Sequence, residues 1–100
     1  MKTEVVWSVL ALRRLEEIWA YLARTHMAKD KPEAAARQAI RIVALVEALS
    51  EHPYLGRVGT EPGIREPVIG GTPYIVLNSV RSGRVTISTI WHGAQRKDVE

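Results

Sequence analysis

The chain has 100 residues, 46% of them hydrophobic and 25% charged, with no cysteine, which suits one small domain around one core. The hydrophobic fraction excludes intrinsic disorder, and charged residues interrupt every apolar stretch before the roughly 18 residues a membrane span needs. The lack of thiols excludes a disulfide scaffold, a thiol nucleophile and thiolate metal sites. Fourteen Lys and Arg against eleven Asp and Glu leave a net charge of +3. Ten of those cations are Arg, the side chain suited to planar, bidentate contact with carboxylates or phosphates. Split at Ser50, neither part carries a basic tail or stripe, so no direct sequence-specific DNA binding is expected. The segment from Met1 to Trp7 lacks the long apolar core of a secretory signal, and the expected location is the cytoplasm.

Val5, Val6 and Trp7 form a short β-favouring run, predicting a strand over residues 3–7, and Ser8 is a residue type that starts helices. From Val9 the spacing turns helical. Leu15, Ile18, Trp19 and Leu22 fall at i, i+3, i+4 and i+7, with Arg13, Arg14, Glu16, Glu17 and Arg24 mostly off that stripe, so an amphipathic helix runs to near His26. Asp30 is the expected cap of a second helix, with Pro32 early in it and Glu33 in its first turn. This helix is expected from about Pro32 to Glu51, with Ala39, Ile42, Val43, Val46 and Leu49 on its apolar face.

Residues 52–63 hold two Pro and three Gly and read as the one substantial loop, the part of a rigid scaffold where function tends to sit. Three strands are predicted after it: Ile64 to Ile69, Tyr74 to Val80, and Arg84 to Trp91 or His92. The last two are joined by a tight turn through Ser82 and Gly83. Pro67 has no N–H to donate, which places its strand at a sheet edge. The whole is an α+β domain spanning residues 1–100: an N-terminal strand, a helical hairpin and a three-strand antiparallel meander, with the hairpin on one face of a single, mostly antiparallel sheet.

Several of these residues, taken together, resemble a known family. Ala11, Leu15, Ile18, Tyr21 and Leu22 come first, followed by Pro53-x-x-Gly56-Arg57, Ile64-Arg65-Glu66, Pro73-Tyr74-Ile75-Val76 and Val85-x-Ile87-x-x-Ile90-x-His92. Their order and spacing resemble the ParE/RelE superfamily of toxins from type II toxin-antitoxin systems over nearly the whole chain. The His92-Gly93-Ala94-Gln95 ending is most similar to the ParE, or plasmid-stabilisation, branch. The resemblance implies the RelE/ParE-like fold and a small growth-inhibiting toxin held inactive by a cognate, ParD-like antitoxin in a hetero-oligomer. ParE-type members act on DNA gyrase, whereas RelE-type members cleave messenger RNA on the ribosome.

The residues weigh on that choice. Cleavage through a ribose 2′-hydroxyl needs a group to take its proton, a group to protonate the leaving oxygen, and cations for the phosphate. RelE-type nucleases supply these from basic loop and strand residues and a Tyr, or a His-Tyr pair, near the C-terminus. Here the loop has Arg57 and no Lys, and no Tyr follows Tyr74. A reduced set of Glu61, Arg65 and His92 is the nuclease candidate; the gyrase-binding reading needs no catalytic residue, and a non-toxic remnant that keeps only the fold is the third reading. No cofactor is expected, and the three scattered histidines lack the spacing of a metal site.

Blander roles compete for the same residues. His92 at a strand end reads first as a hydrogen-bonded structural group, His26 as a partner of the last helix carbonyls, and His52 as a helix exit before Pro53. Packing is expected of at least two of Trp7, Trp19 and Trp91, and Asn78 reads as a polar position in a central strand. Ile40, Ala44, Leu45 and Ala48 carry apolar character beyond one stripe of the second helix, a surface for an amphipathic partner. Antitoxins of this class are disordered and acidic where they bind. The expected partner contacts are therefore Arg57, Arg65, Arg81, Arg84 and Arg96, on the sheet and loop side, together with Leu45.

Overall fold

The computed structural model of the chain describes residues 3–59 and 61–93. Its elements in order are β1 (Glu4–Trp7), α1 (Val9–Ala28), α2 (Pro32–Ala48), β2 (Arg57–Val58), β3 (Ile64–Glu66), β4 (Tyr74–Arg81) and β5 (Arg84–His92). They form one five-stranded mixed sheet in the order β1-β5-β4-β3-β2, with β1 parallel to β5 and the other pairs antiparallel.

The expected α+β class and every expected helix and strand are present, with one strand more than the sequence indicated. That strand, β2, lies inside the loop of residues 52–63. Two residues are too few to show a hydrophobic period, and β2 exists because its backbone pairs with β3, Arg57 opposite Glu66 and Val58 opposite Arg65. Its presence moves β3 from the edge to the interior. Pro67 is compatible with this because β3 stops one residue before it, and the Pro67 carbonyl accepts a bond from the Val76 N–H at 3.0 Å.

The start of α1 is tied to the sheet through one side chain. Ser8 Oγ accepts from the Ala11 N–H at 3.0 Å, capping the helix, and donates to the Ser88 carbonyl at 2.9 Å. Ser88 is the extra residue of a bulge in β5, since Leu77 pairs with Thr89 while Asn78 pairs with Ile87. Between the helices Asp30 is not the cap. It takes the left-handed conformation with φ 58°, and Lys31 stands at the N-cap position with no side-chain bond, followed by Pro32 at the first turn. The His26 ring meets α2, its Nε2 lying 3.4 Å from Gln38 Nε2, and among the described residues it makes no hydrogen bond to a helix carbonyl.

The core lies between the helices and one face of the sheet, with Ala11 and Leu22 from α1, Ala35, Ile42 and Val46 from α2, and Val76, Val85, Ile87 and Ile90 from the central strands. Trp7 packs against it, but Trp19 is 48% exposed and Val43 is also on the surface. The stripe on α1 is narrower than its sequence suggests, because the residue one position past Ile18 already points beyond the sheet. At each fully buried aliphatic position, truncation to Ala should cost about 2–5 kcal/mol, as lost transfer energy plus a cavity.

Ser8 supplies a sharper test. Ser8→Ala should lower unfolding stability by about 1–2 kcal/mol in denaturant titration. Thr should largely restore it. Asp, normally as good a cap, should not, because a carboxylate cannot donate to the Ser88 carbonyl.

Candidate functional site

The residues expected from the sequence to act do not converge: Arg81, Arg84 and Glu61 lie at one end of the sheet, Arg57 and Arg65 midway along its β2–β3 side, and His92 at the other end. At one end, the β4–β5 turn carries Arg81 and Arg84, both exposed, with Arg84 Nε bonded to Glu4 Oε1 at 2.7 Å. Among the described residues Arg81 has no ion pair. Glu61 lies at this same end, since its carbonyl accepts from the Ile64 N–H and neighbouring Gly63 accepts from Val80. Arg57 and Arg65 follow on the β2–β3 side. Arg57 Nε reaches the buried Glu66 carboxylate at 3.4 Å, and the Arg65 guanidinium sits 5.2 Å from the centroid of the Tyr54 ring.

His92 is at the other end, opposite Tyr74. Strand rise and spacing put the Arg65 and His92 backbones about 16 Å apart, with Glu61 farther still. The structure does not bring Glu61, Arg65 and His92 into one constellation. Leu45 is half-buried and packs on the core, whereas Ile40 on the same helix is largely exposed. Arg96 lies outside the described residues.

What the fold assembles around His92 is a different set. Its ring meets Tyr74 edge-on, with centroids 5.6 Å apart and planes at 87°. The two rings form one corner of a concavity of about 280 Å³, floored by Ile18 and Ile90 and bordered by Tyr21 and an Arg14–Glu17 ion pair of 2.9 Å on α1. Tyr74 is 4% exposed. Burial raises its phenol above the ordinary tyrosine value of 10.0, and the nearby Tyr21 raises it further. The hydroxyl therefore stays protonated, a hydrogen-bond donor, across the physiological range.

A His-Tyr pair near the C-terminal strand is thus present in space although no Tyr follows Tyr74 in the chain. The sequence held a signal for it. Antiparallel pairing outward from Ser82 and Gly83 sets Tyr74 across from Trp91, and one extra residue moves the match to His92. The gap of three between Ile87 and Ile90, where a strand's apolar period is two, marks where that residue is inserted.

Comparison with known proteins agrees with this architecture. Residues 5–97 match the family described as the ParE toxin of type II toxin-antitoxin system, parDE. The chain is 41% identical to the putative toxin Y4kP of Sinorhizobium fredii (strain NBRC 101917 / NGR234), over 95% of this chain and 93% of that protein. It is 35% identical to toxin RelE2 of Caulobacter vibrioides (strain ATCC 19089 / CIP 103742 / CB 15), over 92% of this chain and 97% of that one. Among solved structures, the chromosomal ParDE toxin-antitoxin system from P. aeruginosa superposes with a TM-score of 0.73 at 22% identity, covering 91% of this chain and 96% of that chain. That likeness is one of fold.

The protein is therefore a toxin of a type II toxin-antitoxin system, and the chain belongs to the ParE toxin family. Among the described residues no helix is long and apolar enough to cross a membrane.

The Tyr74 environment has a measurable consequence at high pH. Below the unfolded-chain value of 10.0 the phenol is protonated in both states and does not alter stability. Above it the unfolded chain releases the proton first, so stability falls with rising pH until the folded phenol also ionises. Tyr74→Phe should flatten this alkaline loss relative to the parent, read as the difference in unfolding midpoints across the range above pH 10.0.

Proposed function

We propose that the chain arrests growth by binding DNA gyrase, and that a cognate ParD-like antitoxin holds it inactive in the cytoplasm. The observation that supports this reading is the match to the ParE family over residues 5–97. The separation of Glu61, Arg65 and His92 removes that set as support for the ribonuclease alternative, because proton transfer and phosphate stabilisation require the groups within hydrogen-bond reach of one phosphodiester; the Tyr74–His92 pair is what that alternative retains. In a binding toxin the same residues need only be exposed and charged.

Antitoxin capture uses two kinds of surface. Arg57, Arg65, Arg81, Arg84 and Arg96 meet carboxylates of the acidic partner segment, which raises the encounter rate. The helical hairpin supplies the apolar contact, with Leu45 at the margin of the core and Ile40 beyond it. A disordered segment folding onto these surfaces would offset its ordering entropy by burying them.

The deciding assay uses folded protein, purified gyrase and supercoiled or relaxed DNA. Inhibited supercoiling or an accumulated cleavage complex is the expected result; neither effect at stoichiometric excess removes the gyrase reading. New messenger RNA ends in a translation extract would instead restore the ribonuclease.

Antitoxin kinetics should separate the two surfaces. Reversing Arg81 and Arg84 to Glu should slow association about tenfold at low salt and flatten its salt dependence. Ile40→Ala should chiefly speed dissociation. Unchanged kinetics in both variants, with the fold intact by circular dichroism, would discard this surface assignment.

A further inference from the structure

We propose that the concavity between α1 and the Tyr74–His92 end of the sheet is a binding site for a small planar aromatic carboxylate, a free molecule of about one ring and one acid group. The argument begins with size. At about 280 Å³ the space suits a single ring with a short substituent, just below the usual range for drug-sized ligands of about 300–1,000 Å³. Tyr74 and His92 stand at 87° to one another. A flat guest can stack on one ring while presenting its edge to the other, the two arrangements that aromatic quadrupoles favour. Ile18 and Ile90 supply an apolar floor for its body.

The polar groups determine the sign of the guest's charge. Tyr74 lines this space, no hydrogen bond from its hydroxyl to another described residue is present, and the hydroxyl is not one of the fully buried unpartnered atoms, so it opens into the cavity. A bound carboxylate oxygen would accept a hydrogen bond from this hydroxyl in place of water, and a charged acceptor makes the stronger bond. Arg14 stands at the rim, and among the described residues only its Nη1 is engaged, by Glu17, which leaves further N–H donors for an anion. The Tyr21 hydroxyl adds a third donor type on the same side. Glu17 disfavours a second carboxylate in direct contact with itself. Its negative charge beside Arg14 favours one acid group per guest over two. The site lies at the opposite end of the sheet from the Arg81–Arg84 turn, so this proposal does not depend on the gyrase or antitoxin assignments.

The test is an NMR titration of the full chain with phenylacetate and, in parallel, its neutral isostere phenylacetamide. The site should bind phenylacetate, a guest of this size, with a dissociation constant on the order of 1 mM. Shifts should saturate at Tyr21, Tyr74, Ile18 and Ile90, and the amide should bind about tenfold more weakly. Tyr74→Phe should weaken phenylacetate about tenfold without lowering the melting temperature of the free protein, because the deleted hydroxyl had no partner to lose. A purely structural Tyr74 would give the reverse pattern, a lower melting temperature with unchanged affinity. Arg14→Gln, on the exposed side of α1, should abolish the preference for acid over amide. If Tyr74→Phe does not fold, Arg14→Gln alone decides. Equal affinity for acid and amide in the parent, saturable shifts elsewhere on the protein, or no saturable shift up to about 10 mM phenylacetate overturns the proposal.

Discussion

The Ser8 hydroxyl acts on two backbone groups at once, and the geometry of the domain depends on that double role. As an acceptor it caps α1 through the Ala11 N–H; as a donor it engages the carbonyl of Ser88, the residue extruded from β5 by the bulge. The Ser8 N–H adds a bond to the Ile87 carbonyl at 3.0 Å. The chain is thus fastened to the centre of the sheet where strand becomes helix. A parallel β1–β5 pair must be joined by a long crossover, here both helices and three intervening strands. Ser8 sets where that crossover begins and the direction in which α1 departs across the sheet.

The bulge carries this constraint to the pocket. Along β5, Val85 and Ile87 face the helices and enter the core. Strict alternation would continue with Thr89 and Trp91. Because Ser88 is inserted, the helix-facing positions become Ile90 and His92 instead, and Thr89 and Trp91 turn to the opposite face. His92 meets Tyr74 only through this change of phase. The bulge also adjoins Asn78, which is 0% exposed and whose amide atoms find no hydrogen-bond partner among the described residues. Such a group costs about 1–3 kcal/mol. A central strand therefore retains a destabilising polar residue beside its one irregularity, between the two ends of the sheet.

Those ends differ in chemistry. The β4–β5 turn offers guanidinium groups to solvent, with the Glu4–Arg84 pair exposed on both sides and contributing little to stability. The Tyr74–His92 end is aromatic, recessed and rich in hydrogen-bond donors. Arg57 and Arg65 are held at the β2–β3 side by Glu66 and the Tyr54 ring, which restricts their rotamers and lowers the entropy lost on meeting a partner. The proposed binding function would gain from this division: charge for encounter on one part of the surface, shape and apolar contact elsewhere. Distance between the two regions also explains why a set of residues plausible as acid, base and phosphate ligand in the linear chain is no catalytic set in space.

Local physics already legible in the sequence determined both helices, the N-terminal strand, the final hairpin and most of the core. Helical spacing identified Leu22, Ile42, Val46 and Leu49, and Ser82-Gly83 marked the turn from which β4 and β5 pair. Ser8 was recognisable as a cap, because capping involves only the residues just after it. Tertiary structure decided everything that depends on a distant backbone. It paired two residues of an apparent loop into β2 and so placed β3 inside the sheet. It left Trp19 in solvent, and put Asp30 in a left-handed turn with Lys31 at the cap. The largest such decision was the bulge at Ser88. One inserted residue reverses which face every later side chain of β5 presents, and its stabilising bond comes from Ser8, 80 positions away in the chain.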